Sequence, residues 1–436
     1  MHASPIGTTR VEDGAGPQTL RKSASVLREV RDEGRGRQFE NHLAILKAAG
    51  ETLSAGNEVR LLVDGPDTFD AMFADLQRAR RRILLESYIF DGERIGRRMA
   101  DLMLQKRAEG LEVRLIFDSV GSIATPAALF DELRAGGVEV CEFNPISPLR
   151  RATGFLKLNH RDHRKVLAID DRIAYTGGIN ISSVYSSSSL GSRRRKGASP
   201  DEEGWRDTQV RIEGPAVRSV VARYQDTWRR QNCAGEPGTL AAIDPPAIAP
   251  PEQGDRLVAV IDSAADEDSA RFYRAFVGAM EGATDSIHVT MAYFVPDPRL
   301  VAALKRAAAR GVEVVLVLPG RSDSRLVLRA GQSHYADLLA SGVRIRERHD
   351  ALLHAKTAVI DGVWATVGSS NLDWRSFLHN DELNVVILGR EFGAEMERLF
   401  VTDLDKAEEV EALDWSRRGA GRRLMEWLGR AWEYWL

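Results

Sequence analysis

The sequence predicts an α/β protein built from two similar lobes. Stretches of the first half return in the second half in the same order, about 190 to 205 residues later. In both halves amphipathic helical stretches alternate with short β-branched runs, which is typical of an α/β layer architecture. A proline-rich segment separates the halves. The length of 436 residues allows two or three domains, so we expect one lobe for each repeat.

Three pairs of similar segments establish the duplication. They run from ILLESYIF (Ile83) to IHVTMAYF (Ile287), from AEGLEVRLIFDS (Ala108) to AARGVEVVLVLPG (Ala308), and from LFDELRAGGVEV (Leu129) to YADLLASGVRI (Tyr335). The last two join the end of a helix, a Gly turn and an apolar β run. Repeated units of this kind predict lobes of the same topology.

The predicted divisions follow the chain in order. They are a flexible or helical N-terminal extension (1–50), a first lobe (57–233), a linker (234–255), a second lobe (256–405) and an amphipathic C-terminal tail (411–436). Closely spaced prolines in the linker forbid regular structure. The polar stretch 186–204, which contains a basic cluster, is predicted to be an inserted surface loop.

Composition excludes several classes of protein. With 43% apolar and 28% charged residues, the chain is globular rather than disordered or collagen-like. The net charge of −3 gives no global field for capturing nucleic acid. No run of eighteen apolar residues is present to cross a bilayer. The two cysteines, Cys141 and Cys233, are too few for a disulfide framework and are predicted to be buried spectators.

Two copies of one motif carry the chemistry. Each copy reads H-x-K-x4-D-x6-G-[GS]-x-N. The copies comprise His163, Lys165, Asp170, Gly178 and Asn180 in the first half, and His354, Lys356, Asp361, Ser369 and Asn371 in the second. Residues two apart on a strand point the same way, so each His and Lys share a face. A duplicated pattern with matching loops favours function over chance.

A phosphate group fits this set of residues best. Lysine ammonium groups and Asn amides can hold nonbridging oxygens, and the small positions Gly178 and Ser369 let backbone N–H groups approach them. One imidazole can attack phosphorus while the other, protonated, donates its proton to the leaving alkoxide. We therefore predict that the lobes meet face to face around one phosphorus.

Carboxylates are expected to support this pair. Asp207 and Glu382 are predicted to orient the two imidazoles and fix their tautomers. Asp170 and Asp361 belong to the same catalytic set, although we expect them to brace a loop or a lysine rather than contact substrate. The other histidines lack the spacing of a metal-ligand set, so neither a metal nor another cofactor is predicted.

These motifs resemble the phospholipase D superfamily, whose signature is the duplicated His-Lys-Asp motif. The resemblance covers about 57–400, and HRKVLAIDDRIAYTGGINIS and LHAKTAVIDGVWATVGSSNLDWRS look most like bacterial cardiolipin synthases without N-terminal transmembrane helices. It implies two pseudo-twofold-related lobes, each a mixed sheet flanked by helices, with one active site at their interface. It also implies phosphatidyl transfer through a phosphohistidine, with His163 as nucleophile and His354 as acid and base. Lys165, Lys356, Asn180 and Asn371 would be the phosphate ligands.

The expected substrates are phospholipids, with phosphatidylglycerol as acceptor and cardiolipin as product. Hydrolysis by a phospholipase D or another phosphodiesterase or nuclease would use the same residues, and a catalytically inactive lipid-binding protein is a third reading. The tail holds four Trp and several Arg, with apolar residues at helical spacing. This pattern fits either a helix in an anionic membrane interface or one packed on the body. We predict peripheral attachment to the cytoplasmic side of the cell membrane and no nucleic-acid partner.

Overall fold

A computed structural model describes residues 4–146, 159–189, 204–233, 250–264 and 271–431. Most of the predicted proline-rich linker (234–249) and of the polar insertion (190–203) lies outside the described residues. So do the last five residues of the predicted C-terminal tail. The described residues hold both motif copies and everything between each His and its Asn.

The N-terminal segment is folded and packs on the second half of the chain. It comprises β1 (Val11–Asp13), β2 (Gly16–Pro17), α1 (Leu20–Asp32) and α2 (Gly36–Ala48). Leu27 of α1 and Leu43 of α2 are fully buried in a core that also contains Phe276 and Trp364. Burial of a Leu or Phe side chain stabilises a fold by about 1.5–3 kcal/mol, so this segment is held by its apolar face.

The first lobe is a mixed sheet with helices. Its elements are β3 (Leu53–Val63), α3 (Asp64–Arg78), β4 (Arg82–Ser87), α4 (Arg94–Ala108), β5 (Glu112–Asp118), α5 (Ala127–Ala135), β6 (Glu139–Phe143), β7 (Arg161–Asp162), β8 (Lys165–Ile169), β9 (Ile173–Gly177), β10 (Trp205–Arg206), β11 (Thr208–Glu213) and α6 (Val217–Arg230). The main sheet runs in the order β3-β11-β9-β8-β4-β5-β6. The pairs β4–β5 and β5–β6 are parallel and the rest are antiparallel.

The second lobe repeats this topology. Its elements are β12 (Arg256–Ser263), α7 (Arg271–Gly282), β13 (Ser286–Met291), α8 (Pro298–Ala309), β14 (Glu313–Pro319), α9 (Arg325–Gln332), α10 (Tyr335–Ala340), β15 (Arg344–Arg348), β16 (Leu352–Leu353), β17 (Lys356–Ile360), β18 (Trp364–Gly368), α11 (Trp374–Leu378), β19 (Asn380–Leu388), α12 (Arg390–Leu404) and β20 (Ala407–Glu409). The sheet order β12-β19-β18-β17-β13-β14-β15 matches the first lobe strand for strand. The predicted fold class is therefore confirmed.

The two lobes join edge to edge and also through a shared core. β3 pairs antiparallel with β12, so the two sheets are continuous at this junction. Alternation along each strand separates the cores: Leu85 faces the helices of the first lobe, whereas its neighbour Leu84 faces the core shared by the lobes. Val166 of β8 and Val367 of β18 meet in that shared core. It fixes the motif strands of the two halves against each other.

The C-terminal tail forms two helices on the second lobe. They are α13 (Ala412–Ser416) and α14 (Ala420–Ala431). Trp415 is buried against Tyr335, whereas Trp427 is 65% exposed. Gly429 of α14 lies so close to α9 that an added Cβ would be 2.7 Å from the backbone nitrogen of Ala330. The tail thus packs on the body and still presents an apolar side chain to solvent.

The cysteines correct one prediction. Cys141 of β6 and Cys233, which follows α6, form a disulfide bond across 92 residues of sequence. The expectation of unpaired spectator thiols is wrong, because the fold brings an edge strand and a helix end together. Nothing in the spacing of two cysteines signals such a contact.

Candidate active site

The two motif histidines line one cavity of about 270 Å³ between the lobes. His163 lies two residues before the start of β8 and His354 two residues before the start of β17, the equivalent strands of the two sheets. Both side chains are buried, with 8% and 6% of the residue exposed. Because the duplicated lobes face each other, equivalent strand ends deliver both imidazoles to the same space.

Each imidazole contacts a carboxylate from the opposite half of the chain. Nδ1 of His163 lies 3.1 Å from both carboxylate oxygens of Glu382, and Nδ1 of His354 lies 2.7 Å from Oδ2 of Asp207. Short parallel pairings between the lobes produce this exchange: β7 pairs with β19, and β10 pairs with β16. Each acid fixes the ring orientation and leaves the other ring nitrogen for chemistry.

The two histidines sit in different electrostatic surroundings. Burial lowers the pKa of His163 well below its ordinary value, and the charges of Lys165 and Lys356 lower it further. Burial and Lys356 also lower the pKa of His354, but Asp207 opposes them. Burial raises the pKa of Glu382 to about 7. The pKa of both rings is therefore lowered, but Asp207 makes His354 the easier of the two to protonate.

The motif lysines are the first residues of β8 and β17, the strands that the histidines precede. Nζ of Lys165 donates to the carbonyl oxygen of His163 at 2.6 Å, and Lys356 makes the equivalent bond to His354. Burial lowers the pKa of Lys165 to about 7 and that of Lys356 to about 8. An anion bound between these lysines would restore their charge, since an opposite charge favours the protonated form.

The two motif asparagines also line the cavity. Asn180 is held by two hydrogen bonds: its Oδ1 accepts from the backbone N–H of Ile89, just after β4, at 3.1 Å, and its amide donates to the Tyr185 hydroxyl. In Asn371 the buried Oδ1 has no hydrogen-bond partner in the described part of the chain. These amides can present donors to a phosphate.

Gly178 and Ser369 do not offer backbone donors to a phosphate, which corrects their predicted role. The N–H of Gly178 donates to the carbonyl of Thr208, and that of Ser369 donates to the carbonyl of Leu383. A Cβ on Gly178 would lie 2.1 Å from Oδ1 of Asp207, so the glycine makes room for that acid. The Ser369 hydroxyl donates to Glu382 at 2.5 Å, and its carbonyl lies 3.1 Å from Nδ1 of His163.

Asp170 and Asp361 are outside the cavity lining, as are Lys165 and Lys356, but the two aspartates are also separated from the histidines by the length of β8 or β17. Each lies at the far end of its motif strand and braces the turn before a neighbouring strand. The Asp170 carboxylate accepts from the backbone N–H groups of Arg80, Arg81 and Arg82. The Asp361 carboxylate accepts equivalent bonds at 284–286 and lies 3.0 Å from Nε2 of His42 in α2.

Several lining residues escaped the sequence analysis. Of the motif residues, only His163, Asn180, His354 and Asn371 line the cavity. The other lining residues are Tyr88, Ile89, Arg161, Trp205, Tyr293, Asp323, Ser324, Val327, Asp373, Arg375 and Asn380. Some could have been found, because Tyr88 and Tyr293 lie in the repeated runs SYIF and AYFV at the ends of β4 and β13. Across the described residues, no group of three His, Cys, Asp or Glu side chains is arranged to hold a metal ion.

This fold and site define a class of enzymes in which two repeated α/β lobes each supply a His-Lys pair to one shared cleft. A family model described as cardiolipin synthase, PLD-like domain, matches residues 72–189 and 276–404. The chain belongs to this family, because the matches cover more than half of it. It is thus an enzyme of the phospholipase D superfamily, and the predicted relationship is confirmed.

Individual comparisons agree with the family. The chain is 34% identical over 368 residues to cardiolipin synthase A of Pseudomonas entomophila strain L48, covering 83% of this chain and 71% of that protein. It is 32% identical over 392 residues to a cardiolipin synthase of Geobacillus thermodenitrificans strain NG80-2, covering 89% and 74%. The crystal structure of phosphatidylserine synthase from Haemophilus influenzae Rd KW20 superposes with a TM-score of 0.63 at 13% identity over 87% of this chain and 95% of that one. At that identity the last comparison concerns the fold alone. No helix in the described ranges is long and apolar enough to span a bilayer.

Proposed function

We propose that this protein transfers a phosphatidyl group from one phospholipid to a headgroup hydroxyl of phosphatidylglycerol and so forms cardiolipin. The observation that carries the proposal is the pair of buried imidazoles, His163 and His354, that line one cavity with an acid behind each ring. Two rings in this relation can divide a displacement at phosphorus into two steps. The similarity to cardiolipin synthases supports the choice of substrate.

In the first step Nε2 of His163 attacks phosphorus, and the bond from phosphorus to the headgroup oxygen breaks. His354, protonated and supported by Asp207, gives its proton to the departing oxygen. The phosphatidyl group is then bonded to His163. A neutral His163 suits this role because burial and two lysines lower its pKa.

In the second step the acceptor hydroxyl attacks the same phosphorus. His354 takes the hydroxyl proton, the new phosphorus–oxygen bond forms, and the bond to His163 breaks. Lys165 and Lys356 neutralise the charge that builds on the nonbridging oxygens, and Asn180 and Asn371 supply neutral donors. Two molecules of phosphatidylglycerol thereby give one cardiolipin and one glycerol.

We also propose that the protein works as a peripheral membrane enzyme. The α9/α14 face, defined by Leu326, Met425 and Trp427, exposes 37%, 46% and 65% of these residues to solvent. Arg325, Arg423 and Arg430 are exposed on the same two helices. Val327 of α9 lines the active-site cavity, so a bilayer that contacts this face lies next to the site.

Turnover of phosphatidylglycerol vesicles tests the proposed reaction. We expect cardiolipin and glycerol in equal amounts, separated by chromatography. The variant His349→Ala, which removes a half-exposed histidine outside the cavity lining, serves as a control with normal activity. Phosphatidic acid as the sole lipid product would show that the protein is a hydrolase rather than a transferase. Binding of the vesicles without turnover would show that it is a lipid-binding protein.

A further inference from the structure

The residues expected to hold the reacting phosphate are the ones that the duplication repeats. His163 matches His354, Lys165 matches Lys356 and Asn180 matches Asn371 at the same spacing. The strands that carry them occupy equivalent places in the two sheets. Ligands arranged in this way suit a single phosphate on the pseudo-twofold axis and do not distinguish one end of the cavity from the other.

Other lining residues break this symmetry. Arg161 lies two residues before His163, where the second half has Leu352 before His354. Asn380 lies two residues before Glu382, where the first half has Trp205 before Asp207. These four positions pair across the lobes, Arg161 with Asn380 and Leu352 with Trp205. Four residues beyond each motif asparagine, Arg375 takes the place of Val184. Of these six residues, Arg161, Asn380, Arg375 and Trp205 line the cavity, so the polar and cationic side chains lie on one side of the pseudo-twofold axis and Trp205 lies on the other.

Arg161 is buried and held firmly on the cationic side. It is 2% exposed, and its Nη1 donates to the Ser119 hydroxyl at 3.0 Å and to the Asn144 carbonyl at 3.3 Å. The carboxylate of Asp118 lies 3.6 Å from the same nitrogen. A guanidinium fixed in this way presents a preorganised positive charge to the cavity that it lines.

Arg375 is half-buried in α11 and lines the same cavity. It makes no ion pair and no side-chain hydrogen bond to any residue in the described ranges. The nearby acid Asp373 is engaged instead as the cap of α11, because its Oδ1 accepts from the N–H of Ser376 at 2.8 Å. The other acid of the lining, Asp323, accepts from the Tyr293 hydroxyl at 2.7 Å.

Tyr88 shows that the two guanidinium groups lie on one side. Burial and Asp118 raise the pKa of Tyr88, and Arg375 and Arg161 are the positive charges that act against this rise. The Tyr88 ring in turn contacts His163, with 5.1 Å between ring centroids. Arg375, Arg161 and Tyr88 therefore border the space beside the reacting phosphate.

We infer that Arg375, together with Arg161, binds the phosphate of the acceptor lipid, a second anion site beside the one that the duplicated residues form. The inference rests on the proposed function, because only an acceptor such as phosphatidylglycerol brings a phosphodiester of its own. One glycerol unit separates that phosphate from the attacking hydroxyl, so both fit a single cavity. A guanidinium binds phosphate oxygens through two parallel N–H bonds. Water and simple alcohols carry no anion and gain nothing from this site.

The test measures how the phosphatidyl intermediate is divided among acceptors. Phosphatidylglycerol vesicles in buffer containing ethanol yield cardiolipin, phosphatidylethanol and phosphatidic acid from three competing acceptors. For Arg375→Gln we expect the ratio of cardiolipin to phosphatidylethanol to fall at least about tenfold, while total donor consumption falls less than about threefold. Arg375→Lys keeps the positive charge but lacks the two parallel N–H donors of a guanidinium, so it should give an intermediate ratio of cardiolipin to phosphatidylethanol.

Arg28→Gln removes an exposed arginine of α1 that neither lines the cavity nor belongs to the α9/α14 face, and it should leave the ratio unchanged. An unchanged ratio in Arg375→Gln overturns the inference, whether or not donor consumption falls, because an equal loss of all three products assigns Arg375 to the donor or to the fold. A wild-type protein that makes phosphatidic acid and phosphatidylethanol but no cardiolipin overturns the proposed function and this inference with it.

Discussion

Asp207 of the first half lies 2.7 Å from His354 of the second half, although the chain separates them by 147 residues. Glu382 and His163 make the reciprocal contact. Each histidine is therefore completed only when the lobes are assembled, through the short pairings of β10 with β16 and of β7 with β19. A lobe that shifted against its partner would lose the orientation of both rings.

The two acids should differ in importance. Asp207→Asn removes the charge that supports an imidazolium at His354, and we expect kcat to fall about 10²–10⁴-fold. Glu382 has its pKa raised to about 7 by burial and is partly neutral at pH 7, so Glu382→Gln should cost much less. Steady-state rates on phosphatidylglycerol vesicles provide the comparison. Equal losses in the two variants would contradict the assigned division of roles.

A diester with a good leaving group separates the roles of the histidines. p-Nitrophenolate departs without a proton, so His354→Ala should release about one p-nitrophenol per chain from bis(p-nitrophenyl) phosphate and then stall. His163→Ala should give no burst, because no covalent intermediate can form. Stopped-flow absorbance records both, with His349→Ala as the histidine control. A burst in His163→Ala and none in His354→Ala would show that His354 is the nucleophile and His163 the acid.

The sequence predicts the repeated part of the molecule well, because two copies of a motif with identical spacing identify equivalent positions in the two lobes. The lobes, their shared cavity and the positions of His163 and His354 in it all follow from the repeated segments. Contacts between distant segments leave no such signal. The exchange of Asp207 and Glu382 between the halves depends on two-residue strand pairings, and the engagement of the Gly178 N–H depends on Thr208 across the sheet.

Binding of an anion should be accompanied by proton uptake. Burial lowers the pKa of Lys165 to about 7 and that of Lys356 to about 8, so both are partly deprotonated at pH 8 in the empty site. A bound phosphate favours the charged lysines and raises both pKa values, which draws protons from the buffer. Calorimetric titration with inorganic phosphate at pH 8, in two buffers of different ionisation enthalpy, measures the number taken up.

Lys165→Met and Lys356→Met should each reduce this uptake, whereas Lys305→Met, which removes a lysine paired with Asp337 outside the cavity lining, should leave it unchanged. Uptake that persists undiminished in both site variants would show that other groups accept the protons.

The lowered pKa values of Lys165 and Lys356 also affect the stability of the fold. Between pH 7 and the ordinary lysine range, the unfolded chain binds more protons than the empty folded protein, so these two lysines make stability rise with pH.

The disulfide between Cys141 and Cys233 should stabilise the first lobe. It ties β6 to the end of α6 and closes a loop of 92 residues, for which the chain-entropy relation gives about 4.6 kcal/mol. We expect the free energy of unfolding in urea to fall by about this amount when a reductant is present. The double variant Cys141→Ser/Cys233→Ser should have the same free energy of unfolding with and without the reductant. Two free thiols titrated in the unreduced, unfolded wild type would contradict the bond.

The α9/α14 face provides a test of membrane attachment that leaves the chemistry intact. Trp427→Glu places a negative charge on the face formed by Leu326, Met425 and Trp427, and it should weaken sedimentation with phosphatidylglycerol vesicles at least about tenfold. Turnover of those vesicles should fall in parallel, while the release of p-nitrophenolate from bis(p-nitrophenyl) phosphate stays at the wild-type rate because the cavity is unchanged. Val401→Glu, at a 49% exposed position on α12, is the matched control and should bind vesicles like the wild type. Undiminished sedimentation of Trp427→Glu would remove this face from the membrane contact.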